Sequence, residues 1–242
     1  MKEENFKMPF ELLQPWSTFV MKTKLPLSIF EKMLKITDEI VENPESPPAS
    51  HPFPTIKDEF GMEQEILKHE DLSDFFSDVI RQFIIQQTLQ ANPYKEIRKI
   101  ILNDEWYIEI LNMWIISQKD NEYQPVHTHP ECHVSSVMYH KIPEYLSKKN
   151  PASYSTLLKN NDGAITFINN SVRDLVWGPQ SMTLQPVVGD LYVFPASQQH
   201  LVYPFRTADG KGERRSVSFN ASFTSKTEQD TLRKQQEEQE AI

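Results

Sequence analysis

The feature that most constrains this chain is a change of hydrophobic period near Glu105. Before it, apolar residues recur at helical spacing: Ile29, Phe30, Met33, Ile36, Ile40 and Val41 follow Pro26, and a second series runs Leu72, Phe75, Phe76, Val79, Ile80, Phe83, Ile84. These patterns predict two amphipathic helices, each with a stripe to bury. After Glu105 the period is two, in short runs: Trp106 to Ile116, Val134 to Tyr139, Ala164 to Ile168, Met182 to Leu184, Leu191 to Phe194 and Val217 to Phe223. Alternation over so few residues marks half-buried strands. Asn161-Asp162-Gly163, Asn169-Asn170 and Val188-Gly189-Asp190 separate them as turns. Several short, evenly spaced strands predict a sandwich or barrel, and the sheet is the obvious surface for the second helix's stripe.

No Gly/Ser-rich or Pro-rich linker divides the 242 residues into two self-sufficient patterns, so one domain with decorations is expected. Its parts are an N-terminal helical and loop segment over residues 1–104, a β core over 105–224 and a polar tail over 225–242, frayed helix or disordered. Five prolines between Asn43 and Pro54 exclude regular structure there and predict a surface loop or covering arm. Hydrophobic residues at 38% and aromatic residues at 11% supply a sizeable core and argue against disorder throughout. A formal net charge of -9, with no Lys/Arg-rich block interleaved with aromatics, disfavours nucleic acid as a partner. The lone Cys132 excludes an internal disulfide, and neither a signal peptide nor a run of eighteen apolar residues is found. A cytoplasmic location is expected, a host's cytoplasm if the chain is phage-encoded.

Five of the seven histidines lie between positions 127 and 200. His127-Thr128-His129 starts a strand-like segment, and residues i and i+2 of a strand share a face, so both imidazoles can grip one metal. His200, beyond the turn and strand Pro186 to Pro195, lies on another strand and is the best third ligand. Three ligands on one side leave open positions, an arrangement that suits mononuclear non-haem Fe(II). A single histidine in a half-buried strand is more often structural, and it is the combination with His200 that favours a metal. Glu131 and His133 are rival ligands, because His127-x-His129-x-Glu131 resembles part of the cupin metal motif. His51, His69 and His140 have no such context and read as non-functional. Farther on, strand parity puts Arg214, Ser216, Ser218 and Asn220 on one face and Arg215, Val217, Phe219 and Ala221 on the other. The polar face suits a barrel interior that binds an acid, since an arginine fork pairs bidentately with a carboxylate. A solvated edge strand is the competing reading.

Asn121 to His129, Ser135-Ser136-Val137-Met138-Tyr139, Gly189 to Pro195, His200 and Arg214 to Asn220 together resemble the 2-oxoglutarate- and Fe(II)-dependent oxygenases of cyanophages and marine bacteria. The likeness runs from about Glu105 to Phe223 and is specific as an ordered set. It implies a double-stranded β-helix (a cupin-like jelly roll) with N-terminal helices packed on its outer face. It further implies iron on His127 and His200, the distal carboxylate of 2-oxoglutarate on Arg214 and Ser216, and Tyr139 as an added contact. The implied reaction is a dioxygenase hydroxylation of an unidentified substrate, small molecule or protein, with release of succinate and CO2. Two departures stand out: His129 occupies a position that is Asp or Glu in most such enzymes, and Ser136 replaces a glycine. A cupin-like three-His metal enzyme that does not use 2-oxoglutarate and a metal-free binding or structural module are the alternatives. Trp106, Tyr107 and Trp114 are candidates for a substrate pocket, with core packing the commoner role of such rings. Specificity is expected to reside in loops 43–61 and 141–162.

Overall fold

The computed structural model describes residues 10–13, 19–43, 45–50, 52–91, 95–146, 161–169 and 181–240. Two antiparallel sheets carry the fold. The larger has seven strands, β1 (Phe10–Leu13), β2 (Val20–Lys24), β3 (Glu59–Gly61), β4 (Trp106–Gln118), β6 (Val134–Lys141), β9 (Asp190–Pro195) and β11 (Arg214–Ser225), in the order β1-β2-β9-β6-β11-β4-β3. The smaller has β5 (Gln124–His127), β7 (Ile165–Ile168), β8 (Ser181–Leu184) and β10 (His200–Val202), in the order β5-β10-β7-β8. Helices α1 (Leu27–Glu42), α2 (Glu63–Leu67), α3 (Glu70–Ala91) and α4 (Lys95–Asn103) precede β4, and α5 (Lys226–Glu240) follows β11. The tail is thus helical as far as it is described, and the N-terminal part also supplies three strands of the large sheet, which the helical pattern there hid.

Strand alternation divides the buried side chains between two cores. One lies between the large sheet and the helices: Met113, Ile115, Val134, Met138, Leu191, Val193, Val217 and Phe219 meet Met33, Ile36, Phe75, Phe76, Val79, Ile80 and Phe83. The other lies between the sheets, where Val137, Tyr139, Tyr192 and Phe194 meet Ile165, Phe167 and Val202. Phe76 is fully buried with its ring 5.4 Å from that of Phe219. Emptying such a site costs both transfer free energy and a cavity, so Phe76→Ala should lower unfolding stability by about 3–5 kcal/mol, measured by urea denaturation.

On the helix side of β6 sits His140, 2% exposed and stacked on Phe30 with ring centroids 5.7 Å apart. Neither ring nitrogen has a hydrogen-bond partner. Burial pushes this imidazole down to about 3, with Arg215 adding to the effect. The unfolded chain therefore binds a proton below about 6.5 that the folded chain refuses until near 3. Stability from this group is complete above about pH 6.5 and drains away as the pH falls. At pH 5, His140→Leu should be more stable than the parent by about 2 kcal/mol relative to their difference at pH 8, a comparison read from urea midpoints at the two pH values.

Candidate active site

His127 is the last residue of β5 and pairs directly with His200, the first of β10. The expectation that His127 and His129 share one face of a strand is corrected here: the strand ends at His127, and His129 lies in the loop that follows. That loop is tied down by its backbone, His129 N–H donating to Ala196 at 2.9 Å and Ala196 N–H donating to His133 at 3.0 Å. The second imidazole is thus aimed by a connection to the end of β9 rather than by pleat. Ligand nitrogens of His127, His129 and His200 all lie within 4.8 Å of one another, and among the described residues this is the group of convergent metal-ligating side chains. Glu131 and His133 do not join it. His133 Nδ1 instead accepts the Phe223 backbone N–H at 3.1 Å, and His51 lies outside the described residues.

The protonation pattern suits a cation. His127 Nδ1 donates to the Pro125 carbonyl at 2.7 Å and His200 Nδ1 to the Gln198 carbonyl at 2.9 Å, which leaves both Nε2 lone pairs free. His200 Nε2 faces His129 Nε2 at 3.4 Å. Burial lowers all three imidazoles below their ordinary value, His129 to about 3. They are neutral at physiological pH, so a metal competes with no proton.

Behind the histidines, between the sheets, lies a narrow chamber lined by Trp114, Gln124, Ser136, Phe194, Arg214, Ser216 and Ser218. Arg214 is 1% exposed. Its Nε donates to the Gly163 carbonyl at 3.0 Å and its Nη1 to Gln118 Oε1 at 3.2 Å and Ser216 Oγ at 3.3 Å. Its Nη2 and the buried Tyr139 hydroxyl make no hydrogen bond of good geometry, although the guanidinium lies close enough to that hydroxyl to interact with it. The guanidinium carbon stands 4.9 Å from the Tyr139 ring centroid. Gly163 makes this seat possible: it has φ +63, and a Cβ there would lie 2.2 Å from the Tyr145 hydroxyl and 3.3 Å from Arg214 Cδ. Arg215 points the opposite way and is neutralised by Asp38 of α1 at 2.5 Å and Glu213 at 2.7 Å.

The residues therefore fit a divalent ion and an acid: three neutral imidazoles converge, and a buried cation keeps one fork arm unused. The chamber is closed to about 10 Å³, so an acid reaching Arg214 must displace side chains in its walls. Ser136, which stands where a glycine was expected, bonds across to β11, its hydroxyl accepting Phe219 N–H at 3.1 Å and donating to the Phe219 carbonyl at 3.4 Å.

On the other side of the histidines opens a cavity of about 530 Å³, walled by Phe53, Glu63, Leu111, Asn112, Trp114, Glu131 and Asn220 among others. Trp114, His127 and His129 line both spaces and so partition them. Trp106 does not reach the cavity: it packs edge-on against Phe223 and donates to the Ile101 carbonyl at 3.2 Å, while Tyr107 is 45% exposed. The proline-rich arm crosses the site. Phe53 lies edge-on to His127 with centroids 4.6 Å apart, its N–H held by Glu59 at 2.9 Å, and Thr55 donates to the Tyr123 carbonyl at 2.6 Å. Part of the second expected specificity loop, residues 147–160, lies outside the described residues.

Several contributors carried no signal in the sequence. Pro125 and Gln198 act through carbonyls, and Gln118 and Gly163 act on Arg214 from distant strands and turns. Only Gly163 was marked, as part of an Asn-Asp-Gly turn.

Residues 112–220, a little under half of the chain, match the family model described as "Putative 2OG-Fe(II) oxygenase". That family's cofactors, iron and 2-oxoglutarate, are those expected here from the sequence. No curated protein sequence matches this chain. Among solved structures it is similar to a prolyl hydroxylase from Trichoplax adhaerens in complex with a hypoxia inducible factor oxygen degradation domain peptide. Identity is 10%, 89% of this chain and 84% of that one are covered, and the TM-score is 0.52. It is also similar to a Pseudomonas putida prolyl-4-hydroxylase at 14% identity, covering 83% and 91%, with a TM-score of 0.49. The first likeness shows the fold alone: a mainly β chain built of two antiparallel sheets, as in that prolyl hydroxylase.

Proposed function

We propose that this chain is a 2-oxoglutarate- and Fe(II)-dependent dioxygenase with a double-stranded β-helix core, hydroxylating a substrate carbon held in the outer cavity. The observation that carries the reading is the pairing of two half-sites. Three neutral imidazoles converge at the rim of a chamber whose far wall is a buried arginine with an unused donor. His127, His129 and His200 would hold the iron, and Arg214, Ser216 and the Tyr139 hydroxyl would hold the distal carboxylate of 2-oxoglutarate.

When bound, the iron and 2-oxoglutarate supply the oxidising chemistry, in which substrate C–H, O2 and 2-oxoglutarate give C–OH, succinate and CO2. The chain's own part is positional. Pro125 and Gln198 carbonyls fix two imidazole tautomers, so that Nε2 of each would be available to the metal. Gly163 and Gln118 hold the guanidinium in the wall of the chamber that the histidines also line. Phe53 and Trp114 would give the substrate an apolar wall beside the histidines. A set of three neutral ligands favours the second reading, a cupin-like three-His enzyme without 2-oxoglutarate, which leaves the unused arm of Arg214 without a purpose. Incubation with Fe(II), O2 and 2-oxoglutarate tests the proposal: succinate should form slowly even without substrate and stop when Fe(II) is chelated. Metal uptake without any succinate would favour the second reading.

A further inference from the structure

The proline-rich arm beside the outer cavity is closed at its base by backbone bonds. Ala49 N–H donates to the Glu59 carbonyl at 3.0 Å, Gly61 N–H donates to the Pro47 carbonyl at 3.0 Å, and Pro48 bridges to Phe60 of β3. Residues 49–59 thus leave and rejoin one point, the build of a compact surface loop. Along Pro52-Phe53-Pro54 the prolines have no N–H, so Phe53 carries the one backbone donor of the three. The Glu59 carboxyl takes that donor, Oε1 accepting at 2.9 Å, and the Phe53 ring then lies on His127 and walls the cavity. Thr55 and the Lys57 N–H reach the connection before β5, through the Tyr123 carbonyl and through Glu122 Oε1 at 3.3 Å.

This anchor sits in a poor place for a charge. Glu59 is 4% exposed, and its Oε2 has no hydrogen-bond partner. Among the described residues the charged group that acts on it is another acid, Glu122, which accepts the Lys119 N–H at 2.8 Å as well as that of Lys57. The neighbouring cations are turned elsewhere: Lys119 Nζ lies 2.8 Å from Ser117 Oγ and 3.9 Å from Asp58, and Lys57 is exposed. Burial raises the Glu59 carboxyl from its ordinary 4.5 to about 7, against the pull of the Phe53 N–H and with the help of Glu122.

We propose that Glu59 is a positioning residue of this site: uncharged, its carboxyl latches the loop so that Phe53 walls the cavity beside His127, and its ionisation frees the loop. This deepens the proposed function, on which the cavity's role as a substrate site rests. Opening the loop returns Glu59 to water, where its carboxyl ionises as an ordinary one. Closing therefore takes up a proton between about pH 4.5 and 7. The latch is at full strength below that window and at its weakest above it.

The test is amide exchange of the full chain, isotopically labelled at its phenylalanine nitrogens and free of metal and 2-oxoglutarate, between pH 5 and pH 8. The Phe53 signal is the one that Phe53→Leu removes. Rates are corrected for intrinsic chemistry at each pH, and the slowest phenylalanine amides report global opening. Relative to that reference, protection of Phe53 should fall more than about tenfold from pH 5 to pH 8. Glu59→Gln keeps an acceptor for Phe53 and cannot ionise, so it should stay protected across the range, whereas Glu59→Ala should be poorly protected throughout. His51→Gln removes the other group of the loop that titrates in this range and should follow the parent. A flat profile in the parent, a pH-dependent Glu59→Gln or a flat His51→Gln overturns the inference. Should Glu59→Ala fail to fold, the Gln variant decides alone. Failure to take up Fe(II) and 2-oxoglutarate would instead sink the proposed function, because the latch is read on the unloaded protein.

Discussion

Replacing His200 with alanine should abolish stoichiometric Fe(II) binding, lowering affinity by more than about a hundredfold. Substitutions that only touch a ligand's outer partners already cost 10- to 100-fold in metal sites, so loss of a ligand costs more. His200 is the most buried of the three, 3% exposed, and its ring is fixed by Gln198. Among the described residues nothing nearby replaces it, because His133 is engaged with Phe223 and Glu131 does not converge on the group. Equilibrium dialysis under anaerobic conditions measures the effect, with His133→Ala as the control that should retain metal. Full occupancy in His200→Ala would remove the metal assignment.

The second large effect is on the cosubstrate. Arg214→Ala should weaken 2-oxoglutarate binding, with Fe(II) present, by about 10- to 100-fold, the worth of one charge-assisted hydrogen bond in a buried place. Arg214→Lys should recover only part of this, since an ammonium cannot reach a carboxylate while also bonding Gly163, Gln118 and Ser216 as the planar fork does. Arg215→Ala should behave differently. Its guanidinium lies on the helix side, bonded to Asp38 and Glu213, so its loss takes one partner from each carboxylate, leaving Asp38 with Lys141 and Glu213 with Ser117, and lowers stability with little change in 2-oxoglutarate affinity. A larger affinity loss in Arg215→Ala than in Arg214→Ala would contradict the assignment of faces.

Much of the architecture was legible because it follows from period. The two-residue alternation along Arg214 to Ala221 shows which side chains enter the inter-sheet space and which pack under α3, and the stripe through Phe76 and Phe83 shows that α3 must lie on a sheet. The strands of the N-terminal part were not legible. β2 and β3 are short, and although β2 pairs with nearby β1, they join the sheet only through β9 and β4, far away in sequence. Spacing also suggested that His127 and His129 belong together, but for an incomplete reason: the second imidazole is set by the loop's bonds to Ala196, which no local pattern encodes. The cavity wall was hidden more deeply. A one-residue bulge at Leu111 reverses the faces of β4, so that Trp114 reaches the cavity while Trp106 packs away from it, and a simple parity count puts both on one face.

The central claim, that one metal and one 2-oxoglutarate share this site, is tested most directly by anaerobic titration of the protein with Fe(II) and then 2-oxoglutarate, followed by visible absorption. The account predicts a metal-to-ligand charge-transfer band that saturates at one Fe(II) and one 2-oxoglutarate per chain, absent in His200→Ala and requiring much more 2-oxoglutarate in Arg214→Ala. Fe(II) bound stoichiometrically with no band at any 2-oxoglutarate concentration would contradict it.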